Sequence, residues 1–271
     1  MRLQDAPVED VRDLMVDERA DLLDLIDDLS DDGWLAPTEA GHWRVKDVAL
    51  HLLDDDLGWL SRDRDGDRSG VLPVESDYRA FVAALDRKNE GWVAGAAGLS
   101  RRVVLDLLRW SGEDVRRHHA AIDLSGTSSV IWAARDEVPR WFDLARDLTE
   151  RWVHQQHIRD AVGRPGDHAR FLPQVLRTFV WAFPYQYAAR APAGTVVHLD
   201  LGDGGPWTLT AAHDGWFLDP GRAGSPAARL RMDGAVAWRQ LTGLPVAPSD
   251  LDVEGDRGLV EPLLDVRGII V

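Results

Sequence analysis

The first 165 residues carry apolar side chains at intervals of three and four positions, the spacing that places them on one face of a helix. Between residues 9 and 30 the opposite positions are almost entirely acidic, so one face would pack while the other meets water. Glycine and proline residues, which commonly mark the ends of helices, separate these segments. The pattern predicts helices at about 9–30, 45–60, 76–94, 100–121 and 137–162.

The pattern changes beyond about residue 165, where short segments rich in β-branched and aromatic residues alternate with turns. A predicted helix at about 172–190 leads into this region, and another at about 235–241 lies within it. Strands are predicted at 195–199, 207–210, 215–218, 228–232 and 251–254. We therefore expect two domains, a helical bundle over residues 1–167 and a small α+β domain over residues 168–271.

Composition excludes several classes of function. The chain of 271 residues has a formal net charge of −15, whereas surfaces that bind nucleic acid or anionic lipid are basic. It has no cysteine, which excludes disulfides, zinc sites built from thiolates and a cysteine nucleophile. No apolar run is long enough for a signal peptide or a membrane span, so we expect a cytoplasmic protein, a monomer or a small homo-oligomer.

Candidate ligands for a metal ion lie in the last predicted helix of the bundle. Glu150 and His154 are one turn apart and His157 lies about a turn further, so the three share a face. A carboxylate and imidazoles suit a divalent first-row metal ion. Because one helix supplies only part of a site, a ligand from another element is needed, and His51 in the second predicted helix is the best candidate.

The same polar positions also have a simpler interpretation as a solvated helix face. The apolar face of this helix lies well over a right angle away from them, and spacing alone favours water around them. Histidines at two neighbouring positions, His118 and His119, are likewise expected to be exposed, because adjacent helical residues point about 100° apart and cannot easily share a metal ion.

A carboxylate on an apolar face needs a different explanation. Asp55 lies near the centre of the apolar face of the second predicted helix, one turn after His51. Burying it requires a partner. That partner is either a metal or metal-bound histidine, or an arginine from another helix, and the sequence leaves both open.

Three local segments resemble the mycothiol-dependent maleylpyruvate isomerase family, a branch of the DinB-like metal-binding helical bundles. They are the tryptophan and histidine segment WRVKDVALHL over residues 43–52, the Glu-x-x-x-His segment ERWVH over residues 150–154, and RDAVGRP over residues 159–165. The resemblance covers nearly the whole chain. It implies a DinB-like antiparallel four-helix bundle, followed by a small α+β domain similar to sterol-carrier domains.

The family resemblance also implies a cofactor. A divalent metal ion, usually zinc, would be bound by His51, Glu150 and His154, with one coordination position left open. Mycothiol would be a diffusible cosubstrate whose sulfur binds the metal, loses its proton and attacks a small electrophilic substrate. Release of the sulfur makes the enzyme an isomerase, and its retention makes it a thiol transferase.

Residues that would assist this chemistry are less clearly marked. His157 or Asp55 would move a proton, and His157 could instead be a fourth ligand or a bystander. The family implies a catalytic arginine from the C-terminal part, for which Arg239 and Arg231 are candidates. Two other functions stay open, namely a metal-dependent hydrolase or lyase that activates water without a thiol, and a non-catalytic protein that binds a small ligand and holds a structural metal.

Overall fold

The computed structural model of the protein describes residues 1–72, 78–166 and 168–268. Helices run over Arg12–Asp27 (α1), Asp31–Trp34 (α2), Val45–Trp59 (α3), Tyr78–Ala96 (α4), Arg101–Ala121 (α5), Arg140–Val162 (α6), His168–Phe179 (α7), Ala182–Gln186 (α8), Gly234–Leu241 (α9) and Arg257–Val260 (α10). Strands run over Thr127–Ser128 (β1), Val138–Pro139 (β2), Val196–Asp200 (β3), Pro206–Ala212 (β4), Gly215–Pro220 (β5), Ala228–Met232 (β6) and Leu251–Gly255 (β7). The fold class expected from the sequence, a helical bundle with a small α+β part, is confirmed.

The chain forms two compact units. The helical unit consists of Arg12–Ile122 and Arg151–Gly166, and the mixed unit consists of Met1–Val11, Asp123–Glu150 and Asp167–Val271. Helix α6 belongs to both, with the change between its residues 150 and 151. Each unit is therefore built from segments that are not consecutive in the chain. The division at residues 167 and 168 stays a prediction about which segments fold independently, and residue 167 lies outside the described residues.

The helical unit is organised around an apolar core to which several helices contribute fully buried side chains. These include Leu22 and Ile26 of α1, Leu52 of α3, Leu108 of α5 and Ile158 of α6. Each aliphatic side chain of this size contributes about 1.5–3 kcal/mol when it is withdrawn from water. The core therefore holds α1, α3, α5 and the second half of α6 side by side.

Side-chain caps fix where helices α5 and α2 begin. The Ser100 hydroxyl accepts a hydrogen bond from the backbone N–H of Val103, which satisfies a free donor in the first turn of α5. Ser30 caps α2 in the same way through Gly33. Helix α6 ends at Gly163, whose φ of +65° suits a residue without a side chain.

The mixed unit contains a five-stranded sheet in the order β5-β4-β3-β6-β7. Its neighbouring strands are antiparallel except for β3 and β6, which are parallel with Val197 opposite Ala228. Alternate residues such as Leu199, Leu209 and Leu230 are buried on one face. The five strands predicted from the sequence are confirmed. The likeness of this part of the chain to sterol-carrier domains stays a prediction.

Two predicted helices have different limits in the structure. The segment expected to begin α6 instead forms the short strand β2, paired with β1. The helix predicted at 172–190 is interrupted after Phe179, so that Pro184 falls in the first turn of α8. Proline is tolerated in a first turn, but in a continuous helix it would remove a backbone hydrogen bond and clash with the preceding turn. No helix in the described part of the chain is both long and apolar enough to span a membrane.

Candidate metal site

Three side chains from two helices converge in the structure. His51 comes from α3, and Glu150 and His154 come from α6, where they are one turn apart. Each offers one ligand atom, and these atoms all lie within 4.8 Å of one another. The imidazole rings of His51 and His154 meet edge to face with their centroids 4.7 Å apart. Both histidines are buried and Glu150 is half-buried, so the cluster has a closed side and a more open one.

The chemistry of this donor set suits a divalent metal ion. Two imidazoles and one carboxylate are a common ligand set for catalytic zinc, which keeps a fourth position open. Ligand atoms at about 2.0–2.2 Å from an ion in tetrahedral geometry lie about 3.3 Å from one another. A separation of up to 4.8 Å therefore requires the ligand atoms to approach one another by up to about 1.5 Å when an ion binds. Among the described residues, His51, Glu150 and His154 are the one group of three possible ligands whose ligand atoms all lie within 4.8 Å of one another.

Trp43 forms a wall of the cluster, which the sequence reasoning noted only as part of a motif. Its ring centroid lies 5.1 Å from that of His51 and 6.3 Å from that of His154. Its indole N–H donates a hydrogen bond of 3.1 Å to Glu90 of α4, which fixes the ring. Because Trp43 is only half-buried, it limits access to the two imidazoles from solvent without closing the cluster.

His157 lies next to the cluster but is fully buried. Its Nδ1 is 3.4 Å from Nδ1 of His154, so one ring nitrogen would supply the hydrogen and the other the lone pair. His157 does not belong to the group whose ligand atoms lie within 4.8 Å of one another. Its position favours a role in orienting the His154 ring rather than direct contact with a substrate.

Asp55 contacts His51, as its place one turn later on α3 requires. One carboxylate oxygen lies 3.6 Å from Nε2 of His51, and the side chain is 24% exposed. The other interpretation of Asp55 was a carboxylate paired with an arginine. In the structure the next residue, Asp56, has this role. The sequence reasoning therefore identified the correct turn of α3 but missed its fully buried carboxylate.

Asp56 accepts four hydrogen bonds at the centre of the helical unit. The guanidinium of Arg19 donates two of 2.8 Å, Arg151 donates one of 2.6 Å, and the Ser111 hydroxyl donates one of 2.6 Å. Burial acts to raise the pKa of this carboxyl group. The two guanidinium groups and the hydrogen bonds outweigh burial, and they lower the pKa from 3.8 to about 2. Asp56 is therefore ionised at neutral pH.

The polar positions of α6 are buried rather than solvated, which corrects the expectation from spacing. Asp147 and His157 are fully buried, and Asp143 and His154 are less than a tenth exposed. The polar groups have partners within the structure. Asp143 accepts a hydrogen bond of 2.6 Å from the Ser128 hydroxyl, for example. Periodicity misled because a polar helix face reads as solvated from spacing alone, whereas here most of these polar side chains are buried against partners.

Other candidate residues lie elsewhere. Arg239 is on α9 in the mixed unit, with its guanidinium 5.2 Å from the ring centroid of Trp238, and its catalytic role stays a prediction. Arg231 is exposed on β6. The expectation that His118 and His119 are exposed is wrong. His118 lies 2.6 Å from an Asp63 oxygen, and His119 is buried in the helical unit.

The chain is similar to known proteins over most of its length. The family model described as the mycothiol maleylpyruvate isomerase N-terminal domain matches residues 15–159, which is more than half of the chain. Two crystal structures have a similar fold, that of the mycothiol-dependent maleylpyruvate isomerase and that of a variant of it with one histidine replaced by alanine. Each is 13% identical to this chain with a TM-score of 0.58, covering 94% of this chain and 95% of the other. No curated protein matches the chain.

Proposed function

Because this chain belongs to the mycothiol maleylpyruvate isomerase family, we propose that it is a metal-dependent enzyme that uses a low-molecular-weight thiol, mycothiol. It would isomerise a small electrophilic substrate or transfer the thiol to it. The observation that carries this proposal is the convergence of His51, Glu150 and His154 in a chain that has no cysteine. Such a chain can hold a metal ion but must take a reactive sulfur from solution.

The three clustered side chains would be the metal ligands. A divalent ion bound there would supply Lewis acidity at its open position and lower the pKa of a thiol that reaches it. Zinc is the ion that the two imidazoles and one carboxylate favour. Glu150, the half-buried member, lies towards the more open side of the cluster. His51 and His154 are buried, so the surrounding core would hold their rings in place.

The neighbouring residues would orient the ligands and handle the proton. His157 would fix the ring of His154 through their Nδ1 atoms, and Asp55 would do the same for His51. Because Asp55 is partly exposed, its carboxylate can also take the proton of an incoming thiol and release it to water or to the product. The indole of Trp43 would exclude water from one side of the two imidazoles.

Elemental analysis of the purified protein tests the metal part of this proposal. Wild type should retain one equivalent of a divalent metal ion after desalting, and His154→Ala should lose most of it. His213→Ala is the matched control, because His213 is exposed in the turn between β4 and β5. Equal metal content in wild type and His154→Ala would refute the assignment.

The thiol part needs a separate assay. The rate of conversion of maleylpyruvate should depend on added mycothiol and should be absent with S-methyl mycothiol, which keeps the sugar portion but has no free thiol. Conversion at the same rate without any thiol would refute the thiol-dependent mechanism and favour activation of water instead. If maleylpyruvate is not converted even with mycothiol present, maleylpyruvate is not the substrate.

A further inference from the structure

The carboxylate of Asp56 connects four helices of the helical unit. Asp56 is on α3, and its partners Arg19, Ser111 and Arg151 come from α1, α5 and α6 respectively. The side chain of Asp56 is fully buried and that of Arg151 is 3% exposed. A fully buried ion pair contributes little to stability compared with an apolar group of the same size, because both charges must be removed from water. A role beyond stability is therefore to be expected.

The position of this ionic cluster relative to the candidate ligands points to that role. Asp56 follows His51 by five residues on α3, and Arg151 precedes His154 by three residues on α6. These separations correspond to about 7.5 Å and about 4.5 Å along the two helices. The Asp56–Arg151 contact thus joins the same two antiparallel helices as the His51–His154 contact, one to two turns away.

This contact determines how far α6 can slide along α3. Displacement of α6 by a single residue would move His154 by about 1.5 Å relative to His51. A functional site requires its side chains to be held within about 0.5 Å. Apolar contacts between helices do not specify an axial position so strictly, because they have no directional preference. A short, charged hydrogen bond from Arg151 does, because its geometry tolerates little displacement.

We propose that Asp56 is a positioning residue for the metal site, which holds Arg151 and thereby sets the axial position of the Glu150 and His154 ligands against His51. This proposal rests on the proposed function, since it concerns the affinity for a metal ion at those three residues. Asp56 touches neither the ion nor the substrate. It acts through the helices, and Arg19 and Ser111 hold its carboxylate in the orientation that Arg151 needs.

Metal affinity measured by competition with a chromophoric chelator tests the proposal in the full-length protein, with Zn²⁺ and Co²⁺ as probes. Asp56→Asn should bind either ion about 10- to 100-fold more weakly than wild type, as is typical for residues that orient metal ligands. The absorption bands of the Co²⁺ protein should also change, because the ligand geometry changes. Asp54→Asn is the matched control, since Asp54 is on the same helix and pairs with Lys88 at the surface.

A purely structural role would give a different result. Leu22→Ala also removes a fully buried contact from the helical unit and should lower the melting temperature, but it should leave metal affinity unchanged. If Asp56→Asn does not fold, Arg151→Lys keeps the charge but loses the guanidinium geometry. It should still weaken metal binding at least about 5-fold.

The outcomes separate the two proposals. If wild type and His51→Ala bind Zn²⁺ equally poorly, the proposed metal site itself is wrong. If wild type binds one Zn²⁺ tightly while both Asp56→Asn and Arg151→Lys bind it with wild-type affinity and Co²⁺ spectra, the metal site stands and the positioning role of Asp56 is refuted. A drop in affinity in Leu22→Ala as large as that in Asp56→Asn would also refute it.

Discussion

Replacement of Asp56 by asparagine should change how the stability of the protein depends on acid. The carboxyl pKa is lowered from 3.8 to about 2 in the folded protein, despite burial, by Arg19, Arg151 and the hydrogen-bond donors. Because the native pKa lies below the unfolded one, the stabilisation is complete above about pH 3.8 and is lost as the pH falls towards 2. At 1.36 kcal/mol per pKa unit, the difference corresponds to about 2 kcal/mol, of which about 1 kcal/mol is lost between pH 5 and pH 3.

Urea denaturation of wild type and Asp56→Asn at pH 7, 5 and 3 measures this effect, with a chelator present so that metal release does not contribute. At neutral pH the variant should be less stable by about 3–5 kcal/mol, because Arg19 and Arg151 are left buried with a neutral partner. The gap between the two proteins should narrow by about 1 kcal/mol between pH 5 and pH 3, since the other carboxyl groups titrate in both. A gap that stays constant or widens in acid would show that Asp56 is not an ionised carboxylate in the folded protein.

Three further predictions follow from single contacts. Asp55→Asn should lower metal affinity about 10- to 100-fold relative to wild type, as measured by chelator competition, because its carboxylate contacts His51; unchanged affinity would leave it a surface carboxylate. Tyr187→Phe should lower the free energy of unfolding by about 1 kcal/mol, since the hydroxyl donates a 2.6 Å hydrogen bond to the Leu259 carbonyl. Burial raises the pKa of Tyr187 above 10, so wild type but not the variant should lose this tyrosine's contribution to stability as the pH rises past 10. Gly255→Ala should be destabilised by more than about 1 kcal/mol in thermal melts, because the added carbon would lie 2.2 Å from the Ala227 carbonyl oxygen, whereas the control Gly194→Ala meets no atom within 4 Å and should be destabilised less.

The sequence predicted the helices that carry the candidate ligands because their apolar spacing and their end signals agree. Ser100 precedes α5 and Gly163 follows α6, and both have the roles that such residues have at helix ends. The strands of the mixed unit were equally readable from alternating and β-branched residues. The parallel pairing of β3 with β6 was not, since it joins segments separated by a hairpin and no local pattern records it.

His51 is a candidate from its residue type, but only the family resemblance implies that it meets the two candidate ligands of α6. A sequence shows which residues share a face of one helix, but it does not show which faces of two distant helices meet. The same limit explains why the sequence did not identify Asp56 as the carboxylate paired with arginine. Adjacent residues differ by about 100° around a helix, and the partners that allow one of them to be buried, Arg19 and Arg151, lie far away in the chain.

The buried polar residues of α6 can be understood as charges that each require a compensating partner. Arg151 has Asp56, and Asp143 has Arg146 together with the Ser128 hydroxyl. Glu150 lies in the cluster with the two imidazoles of His51 and His154. A divalent cation would compensate this carboxylate and use the lone pairs of both imidazoles at once. The helix that supplies Glu150 and His154 thus also carries, at Arg151, the charge that binds it to α3, and α3 supplies the third ligand. Under the proposed function, polar residues at core positions of these two helices would serve two linked tasks, binding the ion and holding its ligands in register.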